Sequence, residues 1–360
     1  MKIMFSRIAA RSGSNVTLAA LPEEEPGYVE PMLNWIFITN YDENRQGDKW
    51  IYQEFDQNVA RLFIFADPET GRSCYAFMSF DGEFTRLLPE GNITEQIPDA
   101  GLKGQPDSHG RIYGAAQIGD HVYACGDGGQ FMRRGSDGRW SSVNSDYRLS
   151  TGEGMDMEEL WKKENPPPGG DEYDGYWLRR SDDYINSMTR MFTNLGGLRE
   201  DAIYLTSQVP NRQQGRIHFW NGETLSEIHN PSGEDINGFF FEDENRVWAY
   251  GRNGTILYGN HRDGFRDVSH YEDNMGLNGM GLFRGTMYLT SYAAESGLYM
   301  LDDNGRQVEV PDVPYKNGCT GISIAGGALW TADDYAVLRF DGVQWERIEH
   351  PQNIVSNTAP

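Results

Sequence analysis

The chain has 360 residues, 12% of them aromatic, with 42 glycines, 16 prolines and a net charge of −23. A field of that sign repels nucleic acid and anionic membranes and attracts cationic partners. Abundant aromatics and glycines without a long helical period point to a sheet-rich fold with many tight turns, and 38% hydrophobic residues suffice for a core.

At the N-terminus, MKIMFSRIAARSGSNVTLAA holds a short apolar burst broken by Ser6, Arg7 and Arg11. That is too short for a secretory h-region, and no stretch matches a membrane-spanning helix. Three widely spaced cysteines, Cys74, Cys125 and Cys319, read as buried thiols in a reducing compartment. A cytoplasmic protein is therefore expected. Strand-like NWIFITN (34–40) and KWIYQEF (49–55) follow. The stretch 42–54 places Asp42, Asn44 and Gly47 at the offsets of a calcium loop, but Gln53 stands where a bidentate Glu is required. The seven histidines are scattered, so neither a metal nor a cofactor is expected.

From residue 61 onward a unit recurs. VYACGDGGQFMRRGSDGRWSSV (122–143) reads strand, glycine turn, strand, Asp-Gly turn, strand. Related units lie at 61–87, 202–228, 246–268, 286–310 and 328–348, with Asp/Asn-Gly turns ending at Gly82, Gly138, Gly222, Gly264, Gly305 and Gly342. These turns are expected at one shared position, as two-residue hairpins with both central residues at positive φ. The last four are 42, 41 and 37 residues apart. Upstream of most units is a small apolar strand: 112–118, 236–242, 277–283 and 320–326, with Gly114, Gly238, Gly279 and Gly321 suited to a crowded inner position.

Four strands per unit and a period near 40 predict an all-β fold, a single β-propeller spanning 1–360. Seven four-stranded blades are preferred to six, with 1–57 supplying a degenerate one. The strand 2–8, or its successor, is expected to close the ring by joining the blade of 320–348. The tandem blades resemble the broad family of bacterial propellers that includes photosystem assembly factors and the WD40-like superfamily. That resemblance covers about 58–348 and implies a binding platform.

The regular array is interrupted at 145–182, predicted to be an insertion with a short helix at MDMEELWKKE and a stop at PPPGG. Its acids Glu153, Asp156, Glu158 and Glu159 and its aromatics Trp161, Tyr173, Tyr176 and Trp177 suit partner recognition, since Trp and Tyr dominate interface hot spots. No nucleophile elbow, phosphate loop or dinucleotide fingerprint is present. The pairs Asp182–Asp183, Asp302–Asp303 and Asp333–Asp334 are expected by chance in so acidic a chain, two of them in turns. The reading is a non-enzymatic, monomeric propeller that binds a basic protein, in its concrete form a bacterial immunity or antitoxin protein. The alternatives are a glycosidase- or lyase-type propeller enzyme with an axial pocket, and an assembly scaffold.

Overall fold

The computed structural model describes residues 2–22, 34–40, 50–101, 109–144, 191–209, 214–270, 275–292, 297–314 and 318–354. Their 28 strands form seven four-stranded antiparallel sheets in strict chain order, the blades of a single propeller. Blade 1 is β1 (Ile3–Ala10) to β4 (Trp50–Phe55), and blade 2 is β5 (Val59–Ala66) to β8 (Ile93–Gln96). Blade 3 is β9 (Ile112–Ile118) to β12 (Trp140–Ser142), and blade 4 is β13 (Met191–Arg199) to β16 (Leu225–Ile228). Blade 5 runs from β17 (Ile236–Phe241) to β20 (Gly264–Asp267) and blade 6 from β21 (Leu277–Phe283) to β24 (Gln307–Glu309). Blade 7 is β25 (Ile322–Ala325) to β28 (Trp345–Glu349). The first strand of each blade lies beside the first strands of its neighbours, and β1 meets β25 to close the circle.

Burial explains the sequence of each strand. Second strands are covered by a blade on either side, so β10 (His121–Gly126), β22 (Thr286–Ser291) and β26 (Ala328–Ala332) are nearly continuous apolar runs. Fourth strands face solvent, and β4 and β8 are mostly exposed. One apolar cluster fills each of the seven junctions between blades. Trp330, wholly buried, anchors the junction of blades 7 and 1 with Ile3, Phe5 and Leu18.

Polar side chains tie the same junctions. Arg7 Nε donates to Ala60 O (3.1 Å) between blades 1 and 2. Gln117 brackets the backbone of Ala66, both bonds 2.7 Å, between blades 2 and 3. Glu200 takes His121 Nδ1 (2.5 Å) and Tyr123 OH (3.1 Å) between blades 3 and 4. Asn194, Asn237 and Asn278 each donate to the backbone of the next blade, at Asn237, Leu277 and Cys319. Ser323 Oγ accepts from Ala10 N (2.9 Å) between blades 7 and 1.

Three expectations need correction. No strand is shared between the first and last blades: β1–β4 and β25–β28 are separate sheets. The ring closes instead through side chains and turns. Asn353 Oδ1 accepts from Ile3 N (2.8 Å), its Nδ2 donates to Ile3 O (2.9 Å) and Tyr335 O (2.8 Å), and Phe5 N donates to Asp334 O (2.8 Å). Second, the Asp/Asn of the Asp/Asn-Gly turns do not take positive φ; only the glycines do. Gly138 and Gly305 follow turns closed by their own N–H, Gly138 N to Gly135 O (3.1 Å) and Gly305 N to Asp302 O (2.9 Å), the three-residue loop with a left-handed glycine. Gly222 and Gly342 stand first in two-residue loops, where Asn221 and Asp341 accept two backbone N–H groups each. Third, Gly82 lies between the second and third strands of its blade, β6 (Ser73–Ser79) and β7 (Glu83–Leu87), whereas the other five lie at the connection of third and fourth, Gly264 as the first residue of its fourth strand.

Candidate functional site

The first strands of blades 1 to 6 carry a bulge at one level. The register skips Ser6, Ala60, Tyr113, Thr193, Asn237 and Asn278, so the residues that follow, Arg7, Arg61, Gly114, Asn194, Gly238 and Gly279, share one layer around the axis. Blade 7 places Ile322 there, opposite Thr331. The glycines at this level are required by close approach. A Cβ on Gly114 would lie 2.9 Å from Asn194 Cα of the next blade and 2.7 Å from Cys125 Sγ. One on Gly279 would lie 2.5 Å from Thr290 Oγ1. Gly321 differs: its φ of 144° calls for glycine, and the nearest atom to an added Cβ is 3.8 Å away.

Threonines on the second strands of blades 4, 6 and 7 tie back to the inner strand or the residue before it. Thr206 bonds Thr193 (2.7 Å), Thr290 donates to Asn278 Oδ1 (2.6 Å), and Thr331 donates to Gly321 O (2.6 Å). In blade 5 the equivalent residue is Tyr250. Its ring passes through the space left by Gly238, whose Cβ would sit 2.4 Å from the Tyr250 hydroxyl. Burial raises the Tyr250 pKa.

Blades 1 and 2 put two arginines into this layer. Arg7 is held by its bonds to Ala60 O and to Ser6 O (2.7 Å). Arg61, one residue past Ala60, has neither a hydrogen bond nor an ion pair among the described residues, while Arg86, Arg134, Arg339 and Arg347 are all paired with carboxylates. Burial lowers the Arg61 pKa, and Arg7 lowers it further; Tyr250, Cys125 and Tyr292 act the other way. Those groups belong to blades 1, 3, 5 and the turn after β22, and Arg61 itself follows the bulge of β5, in the layer that the inner strands share. It is partly accessible to solvent.

Two inter-blade hollows lie away from the axis. One, of about 110 Å³, sits between blades 4 and 5 and is floored by His261 stacked on Phe219 (centroids 3.9 Å apart), with the Tyr204 hydroxyl 3.1 Å from His261 Nδ1. Arg199 bridges Asp201 and Glu244 at its rim. The other, of about 510 Å³, runs along blades 5 and 6 past Trp248, Tyr258 and Arg266.

The eight residues expected to recognise a partner, Glu153, Asp156, Glu158, Glu159, Trp161, Tyr173, Tyr176 and Trp177, lie outside the described residues, as do the whole segment 145–182 and Asp42, Asn44 and Gly47. Of the flanking strands, β12 ends at Ser142 and β13, an inner strand, begins at Met191. Both of these ends lie at the end of the propeller where inner strands begin and where the turns Asp127–Gly129 and Arg252–Gly254 lie. Arg61, near the start of β5, is close to that same mouth.

Of the carboxylate pairs, Asp302 and Asp333 serve turns as expected: Asp302 accepts from Asn304 N and Arg306 N, and Asp333 accepts from Tyr335 N and Ala336 N and pairs with Arg347. Among the described residues no three His, Cys, Asp or Glu are grouped to hold a metal, and no helix is long and apolar enough to cross a membrane. His218 is buried, 2.8 Å from Ser207 Oγ, and burial together with Arg216 lowers its pKa to about 4. Sequence reasoning missed Arg61. The signal was present: in VARLFIFA an arginine stands where blades 3 to 6 have Gly or Asn.

No protein-family model matches the chain. It is 24% identical over 255 residues to the immune protein Tsi7 of Pseudomonas aeruginosa, covering 71% of this chain and 69% of that protein. Among solved structures it is similar to virginiamycin B lyase from Staphylococcus aureus, a catalytically inactive variant with quinupristin (TM-score 0.61, 14% identity, 92% of each chain). It is also similar to the WD40 propeller domain of Doa1 (0.56, 10%, 93% and 91%) and to YCF48 bound to D1 peptide (0.51, 10%, 81% and 80%). At these identities the structural likenesses establish the propeller fold.

Proposed function

We propose that this chain is a non-enzymatic immunity protein that binds a basic protein toxin and blocks it. The observation that carries the reading is the 255-residue likeness to an immune protein. The charge of −23 supports it, because an acidic surface speeds capture of a cationic partner and fast capture is what neutralisation requires. In this reading the partner docks on the end where inner strands begin. The segment 145–182 supplies Trp161, Tyr173, Tyr176 and Trp177 as anchors, with Glu153, Asp156, Glu158 and Glu159 as steering charges. The protein acts as a monomer in the cytoplasm, with no cofactor.

The test has two stages. The immobilised chain is exposed to lysate of its source cells at low and high salt, and each protein retained at low salt is identified. Each is then expressed alone and together with the chain. The expected result is a retained protein that arrests growth alone and is harmless with the chain present. If every retained protein is harmless when expressed alone, the reading is wrong.

A further inference from the structure

We propose that the propeller axis carries an oxyanion-binding site, built from the Arg61 guanidinium, Arg7 and the Tyr250 hydroxyl, that takes a small phosphate or carboxylate ligand.

The first ground is an unbalanced charge. Arg61 is only partly accessible to solvent and makes no hydrogen bond or ion pair among the described residues, and the groups that act on it most strongly are Arg7, Tyr250, Cys125 and Tyr292, none a carboxylate. A chain with 54 acidic residues against 31 basic ones has ample carboxylates to neutralise an axial arginine, yet none is placed there among the described residues. An enclosed cation without a counter-charge is costly, and that cost is recovered when an anion binds. The second ground is donor geometry. The guanidinium offers a planar fork of N–H donors matched to two oxygens of a carboxylate or phosphate. Arg7 is fixed beside it by bonds from Nε and Nη1, and its Nη2 makes no bond among the described residues. Tyr250 brings a hydroxyl to the same layer from across the ring, through the space Gly238 leaves, and that hydroxyl too is without a hydrogen bond among the described residues. Three donors from blades 1, 2 and 5 thus converge where the other blades supply Gly, Asn or Ile.

The third ground is the lining. Blades 3, 5 and 6 put glycine at this level, so those positions bring no side chain of their own to compete with the arginines. Only a small ligand suits such a position: nucleic acid would meet the repulsion of the acidic exterior, which a small anion feels far less through salt screening.

The full-length protein is titrated in a chloride buffer of fixed ionic strength with inorganic phosphate and, separately, with succinate. Melting temperature and heat of binding are both read. Millimolar or tighter binding of one probe is expected, with the melting temperature rising with its concentration. A response to phosphate alone identifies a phosphate ligand, and a response to succinate alone a carboxylate. Arg61→Met should weaken binding at least about tenfold, a difference of roughly 1.4 kcal/mol. Arg61→Lys, which keeps the charge without the fork, should fall between. Tyr250→Phe should weaken binding without altering the fold. A second readout is independent of ligand: in chloride alone, Arg61→Met should melt no lower than the parent, because it removes an unpaired cation. Silence toward both probes, an unchanged affinity in Arg61→Met, or a lower melting temperature of Arg61→Met in chloride would each overturn the proposal.

Discussion

Replacing Asn353 should loosen the ring at its seam. This side chain is 9% exposed and makes three hydrogen bonds to backbone: from Ile3 N, to Ile3 O and to Tyr335 O. Ile3 is fully buried, so neither of its backbone groups regains water when the amide is removed. A buried donor left without a partner costs about 1–3 kcal/mol, and carbonyls cost less. Asn353→Ala should therefore destabilise by on the order of 3 kcal/mol, a fall of roughly 4 °C in melting temperature for a cooperative chain of this length. Asn353→Asp has nearly the same shape and keeps the acceptor for Ile3 N. It loses both donors and faces a carboxylate to two carbonyl oxygens, so it should be at least as harmful as alanine. Thermal melts followed by near-UV circular dichroism provide the comparison, and amide exchange at Ile3 should accelerate in both variants. An Asn353→Asp protein that melts with the parent would refute the seam.

Four further outcomes follow from the structure. His218 has its pKa lowered by burial and Arg216 to about 4 in the fold against an ordinary value near 6.5, so its stabilising contribution is complete above about pH 6.5 and is lost as pH falls toward 4, by up to about 3 kcal/mol; urea midpoints of His218→Gln should fall less than the parent's over that window, and parallel profiles would contradict it. Gly264→Ala meets no atom within 4 Å but sits at a φ of 81°, and should cost about 1 kcal/mol; Gly251→Ala, whose Cβ would lie 1.9 Å from Asp235 O, should cost more, and denaturant melts giving the reverse order would count against the packing described. Burial raises all three thiols, those of Cys125 and Cys319 to about 12, but Cys74 alone is partly exposed, so a thiol reagent should label Cys74 alone in the native protein, as mass mapping would report. Deleting 150–178 with a short Gly-Ser bridge should leave the propeller's melt intact and abolish partner binding, and Trp161→Ala or Trp177→Ala should each cost about 2 kcal/mol of affinity; unchanged affinity by calorimetry would move the contact elsewhere.

Much of the fold was legible because propeller strands have distinct solvent exposures. Second strands such as TMYLTS and ALWTA read as apolar runs, and inner strands such as IYGAAQI and LNGMGLF carry the glycine that close approach demands. The inner strand MFTNLGGLR of blade 4 escaped notice because Asn194, Gly196 and Gly197 dilute its apolar pattern. Closure was misread for a related reason: IMFSRIAA looks like a strand in search of a sheet, and only the structure shows that its partners are NVTLAALP and, through Asn353, a turn near the other end of the chain. The turn type was misassigned because Asp-Gly serves two loop geometries, and the choice depends on where the side chain's own hydrogen bonds fall. The axial layer was invisible because a bulge shifts register by one residue, and no periodicity announces it.

The seven junctions also restrict how such a ring could have grown. Copying a blade is the simplest way to enlarge a propeller, and it works when every blade edge accepts every other. Here the edges are keyed differently: an arginine, a glutamine, a glutamate, three asparagines and a serine, each aimed at its own neighbour. A duplicated blade 3 would present His121 and Tyr123 to a copy with no Glu200, stranding two polar groups at a packed seam. Transposing blades 2 and 4 would leave Gln117 and Glu200 facing the wrong backbone. Only the run from blade 5 to blade 7, where Asn237 and Asn278 at the same bulged position each reach forward to the next backbone, has an interchangeable edge. A chimera that repeats blade 5 within that run should fold more readily than one that repeats blade 3.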